Sequence, residues 1–236
     1  MTYKFQLSKW QLIAWSTGLL LSTPLFFLLL ESLQGDSEVF THLWNTVLWD
    51  YISNTVLLVL GVGLLSCLIA LPLGWLTAYC RFPGKQQFEW ALMLPLAMPT
   101  YIIAYVYTDL LDYAGPVQIT LREWFGWQSP SDYWFFDIRT LPGAIIMIAL
   151  VLYPYLYLIF KTALREQSLK LVQASQLMGL SAWKSFFKVS LVLSRGAIVA
   201  ALALISMETM ADFATVSYFA VSTLTTAVYD TWFGYY

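Results

Sequence analysis

The chain has 236 residues, 59% hydrophobic and only 11% charged, with a formal net charge of −2. Soluble domains carry about 25% charged residues, so composition excludes an ordinary water-soluble domain. The net charge itself says little about partners, because the charges are segregated along the chain. A bilayer core takes about 20 consecutive apolar helical residues, and five runs reach that length.

The first run, about residues 12–30, follows Lys4 and Lys9. It is too long for a cleaved signal peptide, and no small-residue cleavage site follows it. His42 and the repeated Asn-Thr-Val-Leu at Asn45 and Asn54 read as interfacial helix ahead of the second run, about residues 56–78. Gly61, Gly63 and Ser66 in that run are small enough to let helices approach closely. Cys67 and Cys80 lie about 20 Å apart along a helix, beyond disulfide reach, and read as packing residues. The third run, about 90–111, carries Pro95 and Pro99 one turn apart, which predicts a bent helix beside a pathway.

Between residues 112 and 139 lie Trp124, Phe125, Trp127, Tyr133, Trp134, Phe135 and Phe136, the composition of an interfacial aromatic belt. A fourth run, about 142–160, and a fifth, about 197–221, flank a basic segment over 161–195. Glu208 and Asp212 are four apart in the fifth run, hence on one helical face. An acidic side chain there costs about 2.5–3.5 kcal/mol on insertion scales, so the pair faces either a hydrogen-bonding neighbour helix or a cavity that attracts a cation. Ten of the twelve Lys and Arg fall on one side of this arrangement, and only Arg122 and Arg139 on the other. The positive-inside rule makes the ten-cation side cytoplasmic, with the N-terminus inside and, after five spans, the C-terminus outside.

Within the basic segment, residues 168–178 predict a helix without a clean apolar stripe. Gly179 interrupts it, and Ser181 is a fair N-cap for a second helix. Trp183, Phe186 and Phe187 then share one face at i, i+3 and i+4. Such a helix-turn-helix either rests on headgroups or fills a groove on a partner with its aromatic side chains.

The stretch QASQLMGLSAWKSFFKVSLV resembles the EAA loop of binding-protein-dependent ABC transporter permeases: Glu-Ala-Ala, three residues, Gly, nine residues, Ile, one residue, Leu-Pro. The matching positions are Gln173, Ala174, Ser175, Gly179, Val189, Leu191 and Val192, with Gln173 in place of the usual Glu and Val192 in place of the usual Pro. MLPLAMPTYIIAYVYTDLLDYAGPVQ and METMADFATVSYFAVSTLTTAVYDTWFG look like the ferric-iron (Fbp, Hit and Sfu type) ABC permeases. That resemblance implies an all-α, polytopic importer permease with about five transmembrane helices here, matching the N-terminal half of a two-repeat chain. It implies that Gln173, Ala174, Ser175, Gly179, Trp183, Phe186 and Phe187 couple the protein to cytoplasmic ABC ATPase subunits. It also implies that a periplasmic binding protein delivers the cargo, partly against the 112–139 aromatics.

The pathway residues expected are Glu208, Asp212, Pro95 and Pro99. Gly84-Lys85 lacks the rest of a phosphate loop, so ATP hydrolysis is expected in a separate chain. Neither a metal, a cofactor nor a nucleic-acid partner is expected. Other readings are an importer for thiamine, a polyamine or a phosphonate, or a membrane scaffold or sensor whose basic loop binds lipid.

Overall fold

The computed structural model describes residues 8–34, 41, 44–166 and 169–235, so His42, Asp36 and Glu38 lie outside the described residues. Every regular element among them is helical. The chain divides into two compact units, with the boundary between Leu48 and Trp49.

The first unit holds α1 (Lys9–Gln34), whose described side chains are all exposed, including Leu20, Phe26 and Phe27. A helix apolar on every side belongs in lipid or in a core. This is the span expected over 12–30, extended by a turn or less at each end.

The second unit begins with α2 (Leu48–Tyr79), 32 residues long and continuous through Pro72. It starts two turns before the expected position and absorbs Asn54. That residue is therefore not part of a separate interfacial helix. Its Nδ2 donates to the Ser222 carbonyl at 3.0 Å, and the Leu224 N–H donates to Thr55 Oγ1 at 2.9 Å.

The third expected span is broken. It comprises α3 (Lys85–Ala91), a 3₁₀ turn (Leu94–Ala97) and α4 (Thr100–Leu111), with α5 (Pro116–Phe125) beyond. The segments before and after Met98 and Pro99 diverge by 98°. Pro99 drives Met98 out of the helical region, to φ −116° and ψ 134°, and itself caps α4.

Helix α6 (Leu141–Glu166) is the axis of this unit. Ile148, Leu156, Tyr157, Phe160 and Leu164 are fully buried, and α2, α4 and the later helix α9 pack around it. A Cβ on Gly61 would sit 2.6 Å from Ile145 Cδ1, so the small residue is what lets α2 and α6 meet.

Next come α7 (Leu169–Leu177) and α8 (Ala182–Leu193), the latter π-helical over Phe186–Ser190. A 72° bend leads into α9 (Arg195–Ala211). The fifth run is not one helix to residue 221. It ends at Ala211, where Asp212 turns extended (φ −75°, ψ 98°), and continues as α10 (Ala214–Tyr218) and α11 (Leu224–Tyr235). Continuous hydrophobicity hid the break, because an apolar run reads alike whether its backbone is straight or folded back. Among the described residues, three helices are long and apolar enough to cross a membrane, or five if each bent pair is one span. The architecture is a polytopic all-α membrane protein.

Candidate functional site

At the end of α9 the broken helices open a cleft of about 370 Å³, lined by Thr100, Tyr101, Leu152, Glu208, Ala211, Asp212, Phe213 and Ala214. Pro99 explains the first two: by starting α4 at Thr100 it delivers that residue and Tyr101 to the acidic pair. Pro95 lies in the 3₁₀ turn before the bend and does not line the cleft.

Asp212 Oδ1 accepts the Thr215 N–H at 2.9 Å, while Oδ2 is buried with no hydrogen-bond partner. Glu208 is exposed in the last turn of α9. Among the described residues, no Lys or Arg forms an ion pair with either carboxylate. Both stand at the negative end of the α9 dipole, where acidic groups are disfavoured. The cleft is therefore electronegative, favourable to a cation and unfavourable to an anion. Among the described residues no three metal-ligating side chains converge.

Roughly 20 Å away along α9, α7 and α8 form the predicted helix-turn-helix. Gly179 adopts φ 89°, and the N–H groups of Gly179 and Leu180 close onto the Gln176 and Ser175 carbonyls at 2.9 and 3.1 Å. This is the left-handed glycine cap that ends many helices. Ser181 caps α8 by accepting from the Lys184 N–H. The Ser175 and Ser185 hydroxyls share a buried 2.6 Å hydrogen bond that clamps the two helices together.

Gln173 and Ala174 remain exposed, and at the tip Leu177 and Met178 are 90% and 86% exposed. The aromatic trio divides. Phe186 is 3% exposed and packs inward, whereas Trp183 and Phe187 are 63% and 58% exposed. The three rings still touch one another, Trp183 with Phe186 at 6.1 Å, Trp183 with Phe187 at 6.2 Å and Phe186 with Phe187 at 4.9 Å, so they share the face that the spacing predicts.

Sequence reasoning missed the ionic cluster beside this loop. Glu89 on α3 meets Lys161 at 2.9 Å and Arg165 at 3.1 Å, both on α6, and Lys85 at 3.9 Å. Lys161 is buried and also donates to Tyr157 Oη at 3.2 Å. Its position at the edge of an apolar run marked it as loop; instead it belongs to the packed end of α6. A lone carboxylate within a cation-rich region was the signal available.

The 112–139 region is built rather than loose. Phe125, Trp127 and Tyr133 stack at successive 4.7 Å centroid spacings. Arg122 sits 4.1 Å over the Tyr113 ring and donates to the Tyr113 carbonyl at 2.9 Å. The backbone N–H groups of Gln128 and Ser129 hold the Asp132 carboxyl below its ordinary range. Trp124 and Trp134 stay exposed, so only part of the aromatic set is available to a membrane interface or a partner.

Broken membrane helices, a polar cleft at one break and a helix-turn-helix tip at the other end of α9 define a multi-pass membrane transport subunit. Residues 70–231 match the family described as "Binding-protein-dependent transport system inner membrane component", and the chain belongs to that family. It is similar to the molybdenum transport system permease protein ModB of Escherichia coli (strain K12), 30% identical over 171 residues, 71% of each chain. The sulfate transport system permease protein CysT of the same strain is 27% identical over 184 residues, 73% of this chain and 62% of the relative. The Fe(3+)-transport system permease protein FbpB 2 of Haemophilus influenzae is 24% identical over 214 residues, 90% of this chain and 38% of the relative. The ferric subtype expected from the motifs is thus the more distant match of the three.

Proposed function

We propose that this permease subunit carries a cation, ferric iron, through a pathway that passes Glu208 and Asp212. The observation that supports this most is the electronegative cleft at the α9 break, with two carboxylates at a helix C-terminus and an unpartnered Asp212 Oδ2. A passing cation compensates that charge.

In this reading the exposed tip and flank of the helix-turn-helix, Gln173, Ala174, Leu177, Met178, Trp183 and Phe187, seat in a cleft of a cytoplasmic ATPase. The N-terminus is cytoplasmic, and the 112–139 region meets a periplasmic binding protein. Hydrolysis belongs to the ATPase chain, so this subunit is a conduit and not an enzyme.

A second reading, import of an oxyanion, is favoured by the 30% identity to molybdenum permeases. The charge of the cleft separates the two. Cells relying on this transporter are assayed for uptake of radiolabelled iron and of radiolabelled molybdate, in the native protein and in Glu208→Gln/Asp212→Asn. Iron uptake that falls about tenfold or more in the double variant, at unchanged membrane levels, supports the cation reading. Molybdate uptake that persists or rises in the double variant, with no iron uptake by either protein, replaces it with the oxyanion reading.

A further inference from the structure

We propose that Trp75 on α2 is the positioning residue through which the α7–α8 segment moves the membrane helices. This rests on the reading that the segment docks an ATPase, and it names the receiver of that motion. Trp75 stacks on Trp183 with ring centroids 6.3 Å apart and planes 19° apart, and meets the edge of Phe186 at 5.7 Å. Trp183 stacks in turn on Phe187 at 6.2 Å. An unbroken set of rings therefore runs from the exposed face of α8 to the backbone of α2.

On α2 that contact has no slack. A Cβ on the neighbouring Gly74 would lie 2.8 Å from Phe160 Cδ1, so the α2 backbone bears directly on the fully buried Phe160 of α6. Close-packed surfaces of this kind transmit a displacement instead of absorbing it. About 30 Å along the same helix, Asn54 and Thr55 hold the turn that follows α10 through the Ser222 carbonyl and the Leu224 N–H. That turn follows directly on the segment that carries Asp212 and Ala214 in the acidic cleft. Helix α2 thus grips the coupling segment at one end and the cleft-forming segment at the other.

The choice of tryptophan agrees with this role. Its indole N–H is buried without a hydrogen-bond partner, a cost that leucine or phenylalanine would avoid. Packing alone does not require it; spanning the gap between α2 and two α8 rings requires a broad, flat side chain.

The test uses the complete transporter with its ATPase in nanodiscs, with Cys67 and Cys80 replaced by serine and a single reporter cysteine at Ala211 in the cleft. The quantity read is the change in maleimide labelling rate on adding ATP and vanadate. Trp75→Ala is expected to retain bound, hydrolysing ATPase while the nucleotide-dependent change in labelling shrinks roughly fivefold or more; Trp75→Phe, which keeps a ring, is expected to recover most of it. A nucleotide response in Trp75→Ala equal to that of the native residue overturns the proposal. If Trp75→Ala fails to assemble, Trp75→Leu replaces it. Leucine that responds as phenylalanine does, or that also fails to assemble, reduces Trp75 to packing and likewise overturns the proposal. No nucleotide response with native Trp75 present instead counts against the docking reading itself.

Discussion

Glu89 forms ion pairs with three cations, Lys85, Lys161 and Arg165. Its partners are unequal: Arg165 is half exposed, whereas Lys161 has little contact with water. Removing one member of a buried pair costs about 3–5 kcal/mol because the other charge is left uncompensated; a charge that keeps a second partner is not left so. Glu89→Gln is therefore expected to lower the thermal inactivation temperature of the detergent-purified protein strongly. Lys161→Met, which leaves Glu89 paired with Arg165, is expected to lower it far less. Equal losses would show that Lys161 holds α6 by more than its charge. The position of Lys161 also shows what a single residue conceals: a lysine beside an apolar run reads as a loop cation until a carboxylate 72 positions earlier is found 2.9 Å away.

At the scale of elements, the helix-turn-helix was legible because its signals are local. Gly179 sits at φ 89° with nothing within 4 Å of where a Cβ would lie, so a substitution there acts through the backbone alone. Gly179→Val is expected to uncouple uptake from ATP hydrolysis, since a β-branched residue in that region costs about 1–3 kcal/mol. Gly179→Asn, which tolerates the left-handed region, is expected to retain coupling; uptake per ATP hydrolysed measures both. The aromatic trio was legible as one cluster, but not which of its rings turns inward. Trp183→Ala with Phe187→Ala is expected to weaken ATPase co-purification by about 30-fold, a combined loss of about 2 kcal/mol for the pair. Phe186→Ala is expected to cost about 3–5 kcal/mol of permease stability instead. Retained ATPase in the double variant would mean that the tip residues Leu177 and Met178 suffice. The two broken spans were read differently. Pro95 and Pro99 announced a bend, because proline cannot donate the helical hydrogen bond, yet α1, α2 and α6 run on through Pro24, Pro72 and Pro154, so proline alone does not decide where a helix breaks. The apolar run across Asp212 left the second break open: hydropathy admits a continuous helix to residue 221 as well as one that ends near Asp212 with the chain re-entering, and the helix ends at Ala211.

For the molecule as a whole, the asymmetry of Lys and Arg predicts an orientation that labelling can read. In a protein with Cys67 and Cys80 replaced, single cysteines are placed at Ser8, Gln128 and Gln173. An impermeant maleimide added outside intact spheroplasts is expected to label only position 128, and labelling at 8 and 173 instead would invert the topology. Composition and run length alone determined that the chain is helical and crosses a membrane, because a bilayer admits no backbone that fails to satisfy its own hydrogen bonds. Residue order alone also determined the glycine-capped turn, whose geometry depends on a few adjacent residues. Tertiary structure decided the rest: that Phe186 turns inward to Trp75, that Glu89 neutralises Lys161, and that Thr100 and Tyr101 meet Glu208 and Asp212 in one cleft. Each of these joins residues tens to more than a hundred positions apart. Local propensity and hydropathy carry no information about such pairings, because their energy comes from contacts that exist only once the helices have packed.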